Sequence, residues 1–200
     1  MTGTHRAMAV LAAIALVAGL LAAPGGPARG EETGERDYAV TLFGGWMTDN
    51  GWREIAALDD VSLRDSWLAG AGIVYEFAGT AAWALEIELQ AAKHFGEQTH
   101  WEVNLPLYAR WRAFPWNDRL PTSLAFGIGP SYATDLPPAE VAMDGSSEQL
   151  LLYWTAELEL GLPDSPWSGV ARLHHRSAGY GLFAESGGSN VLTLGVRRRF

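Results

Sequence analysis

Apolar and polar residues alternate along eight segments of this chain, and this alternation constrains its fold more than any other feature of the sequence. In 83–90, the odd-numbered residues are Trp, Leu, Ile and Leu, whereas the even-numbered residues are Ala, Glu, Glu and Gln. A period of two is typical of a β-strand, because successive side chains point to opposite faces. The eight segments lie at about 38–46, 66–77, 82–92, 99–112, 122–132, 148–160, 168–177 and 189–200. The sequence therefore predicts an all-β fold of eight antiparallel strands.

The charged residues of these segments share the second face of their strands. They are Glu86, Glu88, Glu102, Arg110, Arg112, Glu157, Glu159, Arg172 and Arg176. A soluble lipocalin-like barrel would turn these charges to solvent, whereas a membrane barrel encloses them and turns its apolar row to lipid. Trp83, Trp101 and Trp111 stand at the ends of apolar rows, where membrane barrels carry their aromatic girdles. The pattern favours an eight-stranded antiparallel transmembrane β-barrel of the outer membrane, with the soluble barrel as the alternative.

The start of the chain has the pattern of a secretory signal peptide. A short cationic stretch precedes an apolar run at 7–23, and small residues follow at 24–28. We expect a signal peptide at 1–28, with cleavage somewhere within 23–30, and a single barrel domain at 31–200. A membrane anchor is the alternative for the apolar run. Export of a barrel predicts that the mature protein resides in the outer membrane of a Gram-negative cell.

An even number of strands leaves both termini on the periplasmic side, so long outer loops alternate with short inner turns. We expect outer loops at 47–65, 95–98, 133–147 and 178–188, and inner turns at 78–81, 113–121 and 161–167. The seventh strand then runs outward. His175 and Ser177 lie near its outer end, on its apolar, lipid-facing row.

His175, Ser177 and Asn190 form the candidate catalytic site. A hairpin between the last two strands brings Asn190 beside the other two residues. A Ser hydroxyl becomes a nucleophile when a base takes its proton, and that base needs a third group to orient it. We predict Ser177 as nucleophile, His175 as base and Asn190 as the orienting group, with Glu185 as the rival third member. The alternative is that these polar residues simply contact lipid headgroups.

Two stretches near the end of the chain carry a family resemblance. Leu173-His-His-Arg-Ser-Ala-Gly-Tyr-Gly-Leu-Phe and Gly187-Gly-Ser-Asn-Val-Leu-Thr-Leu-Gly-Val-Arg resemble the lipid A 3-O-deacylase (acyloxyacyl hydrolase-like) family of outer-membrane barrels. The likeness covers roughly the last thirty residues, and earlier strands agree only in general pattern. It implies an eight-stranded barrel whose lipid-facing His and Ser remove an ester-linked hydroxyacyl chain from lipid A without a metal. By this likeness His175 is the base, Ser177 is the nucleophile, and the acidic member falls near Asn190.

The chain departs from the family pattern at two positions. Known members carry an Asn directly after the nucleophile, where it helps to stabilise the oxyanion, but this chain has Ala178. The backbone N–H groups of Ala178 and Gly179 are the predicted replacements, and one lost donor costs on the order of 3 kcal/mol of transition-state stabilisation. The second departure is an amide, Asn190, in place of the acid.

The predicted partners are the membrane and lipid A or lipopolysaccharide in its outer leaflet. A net charge of -9 argues against nucleic acid. A homodimer is left open, and no cofactor or metal is expected. His94 and His100 flank an outer loop and could suggest a metal site with His174, but no suitable carboxylate or Cys spacing supports one, so we expect them to be solvated. We expect the three arginines at 197–199 to reach water or headgroups. The alternative function is a non-enzymatic small barrel that stabilises the membrane or binds lipopolysaccharide.

Overall fold

The computed structural model describes residues 38–57 and 60–200. The predicted signal peptide lies outside these residues. The strands are β1 (Tyr38–Thr48), β2 (Leu63–Gly79), β3 (Trp83–Gly96), β4 (Trp101–Asn104), β5 (Leu107–Trp111), β6 (Thr122–Ala133), β7 (Leu150–Gly161), β8 (Trp167–Ser177) and β9 (Gly188–Arg199). Two short helices, α1 (Trp52–Ala57) and α2 (Pro138–Asp144), lie in the connections. Over the described part of the chain, neither helix has the length and apolar character needed to traverse a bilayer.

The strands close into an antiparallel barrel, because β1 pairs with both β2 and β9. Both β4 and β5 lie between β3 and β6, so they are two halves of one barrel strand. The break falls at Leu105 and Pro106, where proline has no N–H to donate to the ladder. The neighbouring strands still reach across it: Glu88 N–H donates to the Pro106 carbonyl, and Leu105 N–H donates to that of Pro130. The predicted eight-stranded barrel is confirmed, with one interrupted strand that the alternation does not reveal.

The two faces of the barrel wall have the predicted sidedness. Apolar side chains form an exposed belt around the outside that includes Leu42, Ile73, Leu89, Leu107 and Phe126. The charged row faces the lumen and is buried, except for the partly exposed Arg112. A closed sheet with an apolar outer belt and an ionic interior suits a lipid bilayer rather than water. The chain is an outer-membrane β-barrel, and the soluble alternative is excluded.

An ionic network fills the half of the lumen that is nearer the termini. Glu157 accepts hydrogen bonds from three guanidinium groups, at 2.6 Å from Arg110, 2.6 Å from Arg172 and 2.7 Å from Arg197. Arg172 also contacts Glu88, at 3.0 Å. Such charge-assisted bonds offset the desolvation of buried charges only when nearly every donor and acceptor is paired. This network holds opposite walls of the barrel together.

The expectation that all three terminal arginines reach water or headgroups is wrong for Arg197. Its side chain is 0% exposed and donates to Thr41 at 2.9 Å as well as to Glu159 at 2.7 Å. The strand period of two explains this, because residue 197 falls on the inward row. Arg198, on the outward row, lies over the rings of Trp167 and Phe200, at 5.7 and 4.6 Å.

Helix α2 closes the other end of the barrel. The longer connections lie at this end, as expected for the extracellular side. Glu140 of α2 is buried and accepts hydrogen bonds from Arg176 at 2.9 Å, Ser189 at 2.8 Å and Ser147 at 2.6 Å. Ala139 packs with Met47 in a small apolar cluster. The outer loop 134–149 therefore folds into the mouth of the barrel, instead of projecting from it.

Candidate functional site

His175 and Asn190 form a hydrogen-bonded pair on the outward face of the barrel. They are directly opposite each other in the β8–β9 ladder. Nδ1 of His175 lies 2.7 Å from Oδ1 of Asn190. Glu185, the rival third member, is exposed in the 178–187 loop, and no contact joins it to His175 among the described residues. The side chain that orients the imidazole is thus Asn190.

A backbone carbonyl fixes which way the Asn190 amide points. Nδ2 of Asn190 donates to the carbonyl oxygen of Asn50, at 3.0 Å, and a carbonyl can only accept. Oδ1 must then accept from His175, so the proton of the neutral imidazole sits on Nδ1. Nε2 keeps its lone pair, which is the form that a general base requires. Asn50 lies in the 49–62 loop, and its part in the site was not predicted.

Ser177 shares the outward face with His175 but is not hydrogen-bonded to it. Two residues along a strand place their Cα atoms roughly 7 Å apart on the same side. Within the described residues, no hydrogen bond joins the Ser177 hydroxyl to His175. Both side chains line one groove of about 450 Å³. Side-chain rotation is therefore needed to bring the hydroxyl to Nε2, and such contacts are often long without substrate.

Aromatic side chains form one wall of this groove. The ring of Trp154, opposite His175 in the β7–β8 ladder, lies 4.5 Å from the imidazole. The ring of Trp52, in α1, packs edge-on against the ring of Trp154, with centroids 5.9 Å apart. The ring of Phe126 stacks on the ring of Trp154, with centroids 5.8 Å apart. These contacts restrict the imidazole and give the groove an apolar surface suited to an acyl chain. No pattern in the sequence indicates Trp52, because residues in loops do not follow the alternation of the strands.

The loop after Ser177 supplies the backbone of the predicted oxyanion site. Ala178 N–H already donates to the Gly187 carbonyl, at 3.0 Å. Gly179 N–H has no hydrogen-bond partner in the part of the chain that the structure describes. Gly179 also has a φ of +64°, in the left-handed region that favours glycine. Of the two predicted donors, Gly179 is the one whose N–H remains available.

A second polar cluster lies inside the barrel, near the same end. His94 and His100 are both buried, at 1% exposure, so the expectation that they are solvated is wrong. His94 Nε2 contacts Glu102 at 2.9 Å, and His174 Nε2 contacts the other carboxylate oxygen at 2.7 Å. The alternation does carry a signal for both residues, because 94 and 100 continue the even-numbered, inward-facing rows of β3 and β4. The expectation followed instead from their positions beside an outer loop.

The barrel fold is shared with solved outer-membrane proteins. The outer membrane enzyme PagL aligns with a TM-score of 0.51 and 15% identity, over 80% of this chain and 98% of the PagL chain. Neisserial surface protein A aligns with a TM-score of 0.50 and 11% identity, over 82% of this chain and 97% of that chain. The N-terminal barrel domain of Pseudomonas aeruginosa OprF gives a TM-score of 0.49 and 14% identity, over 84% of this chain and all of that domain (100%).

Identities this low establish a common fold and nothing finer. No protein-family model and no curated protein matches this chain. Of these three proteins, PagL is described as an enzyme. Any assignment of chemistry therefore has to come from the groove itself.

Proposed function

We propose that this chain is an outer-membrane serine esterase, similar to the lipid A 3-O-deacylases, that hydrolyses an ester-linked hydroxyacyl chain of lipid A. The observation that carries the proposal is the 2.7 Å hydrogen bond from His175 to Asn190, which leaves Nε2 of the imidazole free on the lipid-facing side. An imidazole on an outward face is costly unless it has a partner or a function. Here it has a partner that fixes its tautomer.

The proposed reaction begins with Ser177. Its Oγ attacks the ester carbonyl carbon of lipid A while Nε2 of His175 takes the hydroxyl proton. The tetrahedral intermediate places its negative charge near the N–H of Gly179. On collapse, the bond to the sugar oxygen breaks and His175 returns the proton to that oxygen. Water, activated by the same histidine, then hydrolyses the acyl–serine ester and releases the free hydroxy acid.

The surroundings of the groove support a lipid substrate. The groove opens on the barrel wall near the predicted extracellular end, where the acyl-ester region of an outer-leaflet lipid lies. Trp154 and Trp52 offer an apolar wall for the chain that is removed. The substrate can therefore stay in the membrane while its ester reaches Ser177. No cofactor or metal takes part in this proposal.

Asn190 sets the expected rate. A carboxylate in its place would stabilise the imidazolium formed in the transition state, whereas an amide supplies only its dipole. In other serine hydrolases an amide at this position also favours the wrong histidine tautomer. The hydrogen bond to Asn50 prevents that here, because it holds the amide nitrogen away from His175. We therefore expect slow but real hydrolysis.

The test uses the mature barrel, refolded in detergent and mixed with lipopolysaccharide, with lipid A followed by mass spectrometry. Loss of one hydroxyacyl mass is the expected result. Ser177→Ala and His175→Ala should each abolish that loss, while Ser62→Ala, an exposed serine in the 49–62 loop, should leave it unchanged. A heat-dependent shift in gel mobility verifies that every variant is folded.

A non-enzymatic barrel that stabilises the membrane or binds lipopolysaccharide is the second candidate. It is favoured by the amide at position 190 and by the lack of a hydrogen bond between Ser177 and His175 in the described structure. Lipid A that stays intact across detergents and divalent-cation concentrations, with all variants folded, would support this candidate and refute the esterase.

A further inference from the structure

The buried polar cluster inside the outer end of the barrel has the composition of a metal site. One atom each from His94, His100 and Glu102 can be chosen so that all three lie within 4.8 Å of one another. The cluster lies on the lumen side of the wall. Its neighbour His174 is adjacent in sequence to His175, but the two side chains point to opposite faces of β8. The cluster is thus separate from the groove.

The burial of the His100 imidazole is not explained by its contacts with the surrounding protein. Its ring stacks on that of His94, with centroids 4.3 Å apart and planes 17° apart. Both of its ring nitrogens are buried without a hydrogen-bond partner among the described residues. The side-chain oxygens of Gln98 and Asn104 share this property. A buried polar group that is left unpaired destabilises the folded protein, because it has given up its hydrogen bonds to water. Several such groups in one small region point to a bound ligand.

We infer that His94, His100 and Glu102 bind one divalent transition-metal ion of the zinc class. Two imidazoles and one carboxylate are a ligand set that Zn²⁺ takes in proteins, with water in a fourth position. Mg²⁺ and Ca²⁺ prefer sites made of oxygen alone.

The spacing between two of the ligands is close to what an ion requires. His94 Nε2 and Glu102 Oε2 are 2.9 Å apart. Bonds of about 2.0 Å in a tetrahedral site separate ligand atoms by roughly 3.3 Å. The ion takes the place of the proton that now lies between these two atoms, and His100 turns one nitrogen toward it. This pair reaches the required separation by moving a few tenths of an ångström, whereas His100, within 4.8 Å of both, must also move toward the ion.

Neighbouring side chains are arranged to support the ligands. His174 holds the second oxygen of Glu102 at 2.7 Å, which orients the carboxylate. Gln98 Nε2 lies 3.0 Å from His94 Nδ1. Half a turn of this amide presents its unpaired oxygen to an Nδ1–H and leaves His94 Nε2 free for the ion. A hydrogen bond of this kind commonly fixes the tautomer of a metal-bound histidine.

The site would connect β3, the 97–100 loop and β4 at the outer end of the barrel, and through His174 it would also contact β8. Its expected effect is therefore on the stability of that end. The inference does not depend on esterase activity, because metal binding is measured directly.

The test is Zn²⁺ binding to the refolded, EDTA-treated barrel, by isothermal titration and by metal analysis after gel filtration. We expect one Zn²⁺ per chain and a higher unfolding temperature with Zn²⁺ but not with Mg²⁺. His100→Gln and Glu102→Gln should weaken binding about 100-fold or more. His175→Gln, which removes the neighbouring outward histidine, should leave binding unchanged. Because the His100 side chain makes no hydrogen bond to the described protein, and its backbone bond to His94 survives substitution, its replacement should not prevent folding.

Two results would overturn the inference. If Zn²⁺ neither binds stoichiometrically nor raises the unfolding temperature of the unaltered protein, the cluster holds only water. If binding survives His100→Gln, or is lost in His175→Gln, the ion sits elsewhere. The unfolding temperature of the unaltered protein decides the matter even if a variant fails to fold.

Discussion

Asn190 accepts a hydrogen bond from His175 over 2.7 Å while its own amide nitrogen is tied to a loop carbonyl. Asn190 therefore holds the imidazole of His175 in the tautomer with its proton on Nδ1. It does so by hydrogen bonding and not by a negative charge. The consequences for catalysis can be separated by two substitutions at one position.

Asn190→Ala should remove both hydrogen bonds and lower kcat by about 100-fold or more, because the imidazole loses its fixed tautomer. Asn190→Asp should instead raise kcat by about tenfold, which corresponds to about 1.4 kcal/mol of added imidazolium stabilisation. Release of fatty acid from lipopolysaccharide measures both. An Asn190→Ala variant as active as the unaltered protein would remove Asn190 from the mechanism.

Gly179→Ala should reduce hydrolysis by more than tenfold. A Cβ at residue 179 would lie 3.3 Å from Leu152 and 3.2 Å from Phe183, at a φ of +64° that side chains disfavour. The N–H that we assign to the oxyanion would therefore move. Gly181→Ala is the matched control, since φ is +87° there but the new Cβ would meet nothing within 4 Å. Similar losses of activity in both variants would indicate a general loop effect.

Glu157→Gln should lower the free energy of unfolding by about 3–5 kcal/mol, because three buried guanidinium groups lose their shared counter-charge. Urea titration of the barrel in lipid vesicles, followed by tryptophan fluorescence, measures the change. Glu148→Gln, at an exposed loop position, should stay within about 0.5 kcal/mol of the unaltered protein. If Glu157→Gln is as stable as the unaltered protein, Glu157 does not hold the ionic network of the lumen together.

Ile73→Arg should destabilise the barrel in vesicles by about 2–4 kcal/mol, because a charge on the middle of the lipid-facing belt must leave water. Ile73 is 57% exposed and pairs with Leu89 near the centre of both strands. Leu182→Arg introduces the same side chain into the 178–187 loop, where Leu182 is 80% exposed, and should have little effect. A larger loss of unfolding free energy in Ile73→Arg than in Leu182→Arg would place residue 73, and not residue 182, within the bilayer.

The alternation of residues predicted the strands, their sidedness and the outward position of His175 and Ser177. It succeeded because each strand has lipid on one side and the ionic lumen on the other. Apolar and polar residues therefore alternate strictly along the strand. It could not predict the break at Pro106, since the alternation continues through it. Pairing of Asn190 with His175 followed from the hairpin alone.

Features that depend on loop conformation were beyond the same reasoning. The helix α2 enters the lumen through Glu140, whose partners Arg176 and Ser189 come from distant strands. Asn50 joins the site through a backbone carbonyl, for which residue type carries no signal.

Arg197 has a consequence for how the barrel assembles. It lies on the last strand, yet its guanidinium bonds to Thr41 on the first strand and to Glu157 and Glu159 on β7. Before the last strand pairs with the first, Glu157 and Glu159 lack the positive charge that Arg197 supplies in the closed barrel. Such an intermediate would be penalised in hydrocarbon, so the seam should close before or during membrane entry. Carboxy-terminal truncation should therefore arrest biogenesis itself, and would not merely weaken a finished product.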